Sequence, residues 1–275
     1  MMKKAIYEVL LENYPKVVEF ADLRSTYIAN CVFNSFLSCT CITLNIVTIH
    51  AIRRTSSLPN PLKTLLLSLA ISDVGVGFLG QPYYITLLVK LLQQSNPGCD
   101  TYMVFEVIAC LFFLVSFLGV VAISVDRFLA IHLHLRYQEL VTHKRVVVVV
   151  ISKWVLSVFL SLMMFLISPG DFGLVLVFVG GIGLLVTTVV YIGIYVAVKT
   201  HKNRIQAQQV REAAENGEMA NFASLIKSAV GILYVYLAFL ICYVPLFIYL
   251  IVFAYQRPDY LLKTILPFLV DSRIS

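Results

Sequence analysis

The chain contains long stretches without a single Asp, Glu, Lys or Arg. None occurs between Arg24 and Arg53, and residues 172–198 and 228–256 are equally bare. From Lys63 to Lys90 the one charge is Asp73; from Asp100 to Asp126 it is Glu106. A helix needs about 20 mostly apolar residues to cross the hydrocarbon core of a bilayer, and each stretch supplies them. A further span runs from Val146 to Ile167, with Lys153 one or two turns inside it. The long lysine stem would let that ammonium snorkel toward the headgroups. A seventh begins near Tyr260, in "YLLKTILPFLVDSRIS", and carries Asp271 and Arg273. The runs are continuous rather than alternating in polarity, which argues against a β-barrel. The expected fold is an all-α membrane protein, a seven-transmembrane helix bundle whose seventh helix is truncated. Residues 1–22 form an extracellular N-terminal tail and 23–275 the membrane domain.

Composition agrees. Only 13% of the 275 residues are charged and 60% are hydrophobic, against roughly 25% charged in soluble domains. Basic residues cluster in alternate loops: Arg53, Arg54 and Lys63, then Arg136, Lys144 and Arg145, then Lys199, Lys202, Arg204 and Arg211. The opposite loops carry chiefly Lys90, Arg257 and Lys263. By the positive-inside rule the basic loops are cytoplasmic and the N-terminus is outside. The net charge of +6 is then a topology signal, and no nucleic-acid partner is needed. Residues 1–22 lack a signal-peptide pattern, so span one is expected to direct its own insertion. Of six cysteines, five fall inside spans and Cys99 lies near the outer surface. No spacing points to zinc or haem, and no cofactor is expected beyond an ion considered below.

Ionisable and polar groups inside spans are costly and default to functional candidates. Asn45 lies in span one, Asp73 in "LLLSLAISDVGVG", Ser116 in span three, and Asp126-Arg127 at the end of that span. Pro245 in "FLICYVPLF" removes a helix hydrogen bond and kinks span six, with Phe239 and Tyr243 four apart on one face.

Taken together, these residues resemble the rhodopsin-like G-protein-coupled receptors. Asn45 is similar to the span-one asparagine of that family, and Leu69, Ala70 and Asp73 to its Leu-Ala-x-x-Asp element. Asp126-Arg127-Phe128 resembles Asp-Arg-Tyr, Trp154 the span-four tryptophan, and Tyr191 the span-five tyrosine. Cys242-Tyr243-Val244-Pro245 resembles Cys-Trp-x-Pro.

The resemblance implies a plasma-membrane receptor that passes an extracellular signal to a heterotrimeric G protein, with no enzymatic activity. Its switch residues would be Asp126, Arg127, Phe128, Tyr191, Phe239, Tyr243 and Pro245. Its ligand pocket would be lined by Tyr83, Tyr84, Glu106, Ala109, Cys110, Phe113, Val175, Val179, Tyr243 and Phe247. The ligand class stays open among small molecule, lipid and peptide. Glu106 either meets a basic ligand group or faces water at the membrane edge. Asp73 and Ser116 resemble part of an allosteric sodium site; the other reading of Asp73 is a neutral, hydrogen-bonded acid.

Departures from the pattern matter too. The family joins a cysteine at the outer end of span three to one in the second outer loop, but Tyr102 holds that place and "SPGDFG" has no cysteine. Gly183 stands where a span-five proline is expected. Both features resemble the melanocortin, cannabinoid, lysophospholipid and adenosine receptors. The seventh-span Asn-Pro-x-x-Tyr does not occur before Ser275. Two alternatives remain: a membrane transporter, and a truncated, non-signalling receptor.

Overall fold

The computed structural model describes residues 20–208, apart from 57, 94, 96, 97, 134, 135 and 168, together with positions 237, 240, 241, 244 and 248. In chain order these form α1 (Phe20–Arg54), α2 (Asn60–Gly75), a π-helical turn (Val76–Gly80), α3 (Gln81–Leu92), α4 (Cys99–Leu133), α5 (Tyr137–Leu140), α6 (His143–Met163) and α7 (Pro169–Gln208). Among the described residues, five helical segments are long and apolar enough to cross a membrane: Arg24–Arg54, Asn60–Leu92, Asp100–Leu133, His143–Met163 and Asp171–Ala197. Span seven, and Phe239, Tyr243, Pro245 and Phe247 of span six, lie outside the described residues.

The helix faces sort inside out. Phe33, Phe36, Val155, Phe159, Phe178 and Leu185 are exposed, whereas Ser68, Ser72, Ser157, Ser161 and Thr187 are buried. In water this distribution would be ruinous; in lipid it is the stable one, because only protein can satisfy a polar group there. The hydroxyls of α1 show the same constraint from the other side. Ser35, Thr40, Thr43 and Thr48 each bond the carbonyl four residues back, at 2.8 Å. Each hydroxyl donor is thereby satisfied within its own helix.

The second span is not one continuous α-helix. At the π turn the Gln81 N–H reaches the Val76 carbonyl, five residues back, and Pro82 follows at the second position of α3. Proline has no N–H to continue the ladder, and a wide turn absorbs the mismatch. The Gly77 carbonyl accepts from Ser38 Oγ at 2.7 Å, which pins the turn to α1. A side chain on Gly77 would meet Ile42, with a Cβ at 2.8 Å from its Cγ1.

α4 is the central pillar. It packs on α2, α6 and α7, and its Phe117 is completely buried against Val120 and Tyr191, with Leu240 of span six on the same cluster. Gly183 of α7 makes that contact possible, since a Cβ there would lie 2.4 Å from the Phe117 ring. The connection between α6 and α7 is short, as expected, but it lies earlier in the chain: Pro169, Gly170 and Asp171 of "SPGD" already belong to α7.

One sequence expectation fails here. Lys153 does not snorkel: it is 5% exposed, and its Nζ donates to the Val115 carbonyl of α4 at 3.3 Å. The helix turns this position toward its neighbours, and the gap left by Gly119 admits the ammonium, with a Gly119 Cβ placed 2.8 Å from Nζ.

Candidate functional site

At its Arg127 end, α4 carries a buried charge cluster. Asp126 and Arg127 are 4% and 7% exposed. Arg127 Nε donates to Asp126 Oδ2 at 2.9 Å, and Nη2 donates to the same oxygen. The other carboxylate oxygen, Oδ1, accepts from Tyr137 Oη at 2.8 Å. Tyr137 sits on α5, the single-turn helix after α4, and is itself buried. Burial, then the bond to Asp126 and its negative charge, push the Tyr137 phenol above its ordinary range, so it stays protonated and donating. Both oxygens of the aspartate are therefore engaged, one by a cation and one by a neutral donor.

The sequence reading missed Tyr137. It lies in a polar loop, where a tyrosine attracts no notice, and only the fold brings it over Asp126. Removing its hydroxyl should weaken the clamp: Tyr137→Phe is expected to lower the unfolding midpoint, losing a charge-assisted bond of about 1.5–3 kcal/mol. An unchanged midpoint in differential scanning fluorimetry would show that the bond contributes nothing.

Phe128 points elsewhere. It packs with Val190 and Ile194 of α7, where Gly193 leaves it room: a Cβ there would sit 2.6 Å from the Phe128 ring. His132 lies against the same ring, with centroids 4.0 Å apart. Tyr191 belongs to the Phe117 cluster.

In the other half of the bundle is a cavity of about 480 Å³, lined by residues of α1, α2, the π turn, α3 and α4. Asp73 and Ser116 lie in its wall, as do Ala109, Phe112 and Phe113 of α4 and Asn34 of α1. Tyr84 stacks on Phe105, centroids 5.6 Å apart, and its hydroxyl accepts from Asn30 Nδ2 at 3.1 Å. Gln81 also lines the cavity, and its buried Oε1 has no hydrogen-bond donor among the described residues.

The pocket residues named from sequence divide. Tyr84, Ala109 and Phe113 line the cavity; Tyr83, Glu106, Cys110, Val175 and Val179 do not. Tyr83 faces outward, 38% exposed. The π turn explains the difference, because one extra residue in a turn rotates all that follows by about 100°. Cys110 packs with Met103, Met164 and Phe172 on another side of α4. Asn45 bonds within its own helix, to the Cys41 carbonyl at 2.9 Å, and Trp154 Nε1 donates to Ser68 Oγ of α2 at 3.1 Å.

Residues 44–172 match the sequence profile described as 7 transmembrane receptor (rhodopsin family), a segment that spans Asp73, Asp126, Arg127 and Trp154. Over this segment, just under half of its length, the chain is similar to the rhodopsin family of receptors. The adenosine receptor A2b of Gallus gallus is 31% identical over 140 residues, which is 51% of this chain and 39% of the relative. The same receptor of Canis lupus familiaris is 34% identical over 125 residues, 44% of this chain and 36% of the relative. Melanocortin receptor 5 of Homo sapiens is 26% identical over 215 residues, 75% and 63% of the two chains. The chain thus spans less than two thirds of each of these relatives. They are receptors and not enzymes, and this chain is similar to both adenosine and melanocortin receptors. With the five span-length helices, a multi-pass membrane protein follows.

Proposed function

We propose that this receptor sits in the plasma membrane with its N-terminus outside and couples an extracellular ligand to a heterotrimeric G protein. The observation that carries the reading is the buried Asp126–Arg127 pair, both partners under a tenth exposed and capped by Tyr137. A pre-paired charge at a helix end is an element with two electrostatic arrangements. In one, Arg127 is held by Asp126; in the other it turns into a cytoplasmic cleft to meet the G protein. Phe128 and Tyr191 hold α4 against α7, and Leu240 carries the contact to span six. The kinked segment around Phe239, Tyr243 and Pro245 would supply the moving part.

The cavity is the candidate ligand site. Its wall is mostly aromatic and aliphatic from α4, with an amide and phenol edge from Asn34, Gln81 and Tyr84. Such a lining suits a small amphiphile with one hydrogen-bond donor for Gln81 Oε1. Ala109 offers no charge for an amine ion pair.

The test is nucleotide exchange. In lipid nanodiscs with purified G protein, Arg127→Ala should reduce ligand-free exchange of guanine nucleotide by tenfold or more. Its yield and unfolding midpoint should stay within the range of other single variants. Exchange as fast as in the unsubstituted protein would remove Arg127 from the coupling mechanism.

A further inference from the structure

Among the described residues the coupling mechanism leaves one buried charge unused, the ammonium of Lys153. It belongs to α6, is 5% exposed, and occupies the gap opposite Gly119, within reach of the Val115 carbonyl at 3.3 Å. An ammonium has three N–H donors, and this carbonyl takes one of them. Around it the helix interfaces are lined with small hydroxyls: Ser157 and Ser161 on α6, Ser68 and Ser72 on α2, all buried. No headgroup can reach the site, so the charge must be balanced from within.

Asp73 is placed to balance it. Ser116, the residue after Val115, donates from Oγ to Asp73 Oδ1 at 3.4 Å, and Ser72 Oγ lies 3.1 Å from Ser116 Oγ. The ammonium and the carboxylate therefore flank the same turn of α4, one held by a backbone carbonyl and one by the adjacent hydroxyl. They form no direct ion pair among the described residues. In a low-dielectric interior, however, opposite charges act on one another over distances that water would screen.

The residues do not fit a bound sodium ion at this place. One positive charge, the Lys153 ammonium, is already built in on the turn of α4 that Asp73 flanks. A second cation would give this part of the interior a net positive charge, which is costly inside a membrane span.

We propose that Lys153 is the resident counter-cation of Asp73, a tethered positive charge that makes the interior of this receptor indifferent to sodium. The chain carries in its own sequence what would otherwise have to be drawn from solution. Gly119 is part of the device, since any larger residue would close the gap through which the ammonium enters. The inference goes beyond the signalling role and holds whatever the ligand or the G protein.

The test needs neither partner. The unfolding midpoint of the full chain in nanodiscs is measured in equal concentrations of sodium chloride and choline chloride. The unsubstituted protein should show midpoints within about 1 °C of each other. Lys153→Met removes the charge and keeps the stem; it should gain a sodium-specific rise of about 3–5 °C, which Asp73→Asn in the same chain removes. Lys153→Gln is a second neutral variant, with a polar head for the Val115 carbonyl, and should behave as Lys153→Met does. Lys153→Arg keeps the charge and should stay indifferent. A sodium-specific rise in the unsubstituted protein that Asp73→Asn abolishes would overturn the proposal. So would neutral variants that remain indifferent to sodium, or an arginine variant that becomes sensitive.

Discussion

Asp126→Ala should raise ligand-free nucleotide exchange by at least tenfold. The substitution leaves the Arg127 guanidinium, 7% exposed, without its carboxylate, and deprives Tyr137 of its acceptor. Breaking one side of a buried ion pair costs about 3–5 kcal/mol, because the remaining charge stays desolvated. That cost falls on the arrangement that buries Arg127. An arrangement in which the arginine extends into an aqueous cleft is spared it. Since about 1.4 kcal/mol shifts a two-state ratio tenfold, even half of the cost brings a minor active population to prominence. The same cost lowers the unfolding midpoint of the resting form, so surface expression must be matched before rates are compared. Asp126→Asn, which keeps an acceptor for Tyr137, should fall between. Exchange unchanged in Asp126→Ala at equal expression would mean that the pair does not restrain Arg127.

The second large effect lies in the core. Phe117 is fully buried, stacks on Phe113 with centroids 6.0 Å apart, and fills the space above Gly183. Phe117→Ala should lower stability by about 2–4 kcal/mol. This is somewhat below the 3–5 kcal/mol usual for a phenylalanine in a water-soluble core, because burial from lipid brings no hydrophobic gain and packing carries the whole term. Gly183→Val should cost about 1–3 kcal/mol by overpacking the same ring. The two variants combined should be less damaging than their sum, by about 1 kcal/mol or more, since the new side chain enters the space the ring vacates. Strict additivity in urea or thermal unfolding would show that the two sites do not share that space.

Much of this architecture was legible in the residues alone. Charge-free runs mark the spans because bilayer tolerates few alternatives, and Asp126-Arg127 announces itself at the end of one. Gly183 read as a missing proline; its steric reason needed Phe117 beside it. What remained hidden was sideways. The position of Lys153 along its helix says how far it is from an end, and suggested snorkelling. Which face it occupies, and that Gly119 lies opposite, depends on how α6 is rotated against α4. Tyr137 was invisible for a similar reason, since eleven residues of chain separate it from the carboxylate it caps. Tyr83 and Tyr84 are adjacent in sequence, and only the hydrogen-bond register of the π turn decides that Tyr84 is the one turned toward the cavity.

That wide turn also bears on how such a helix tolerates gain and loss of residues. Elsewhere in a span, deleting one residue swings everything beyond it by about 100° and delivers lipid-facing side chains to the interior. Between Val76 and Gly80 the helix already holds one residue of slack. A deletion there would tighten the turn to ordinary α spacing and leave Asp73 below and Tyr84 above facing as they do now. The π turn is therefore the place in this span where lineages can differ in length by one residue while keeping the same pocket.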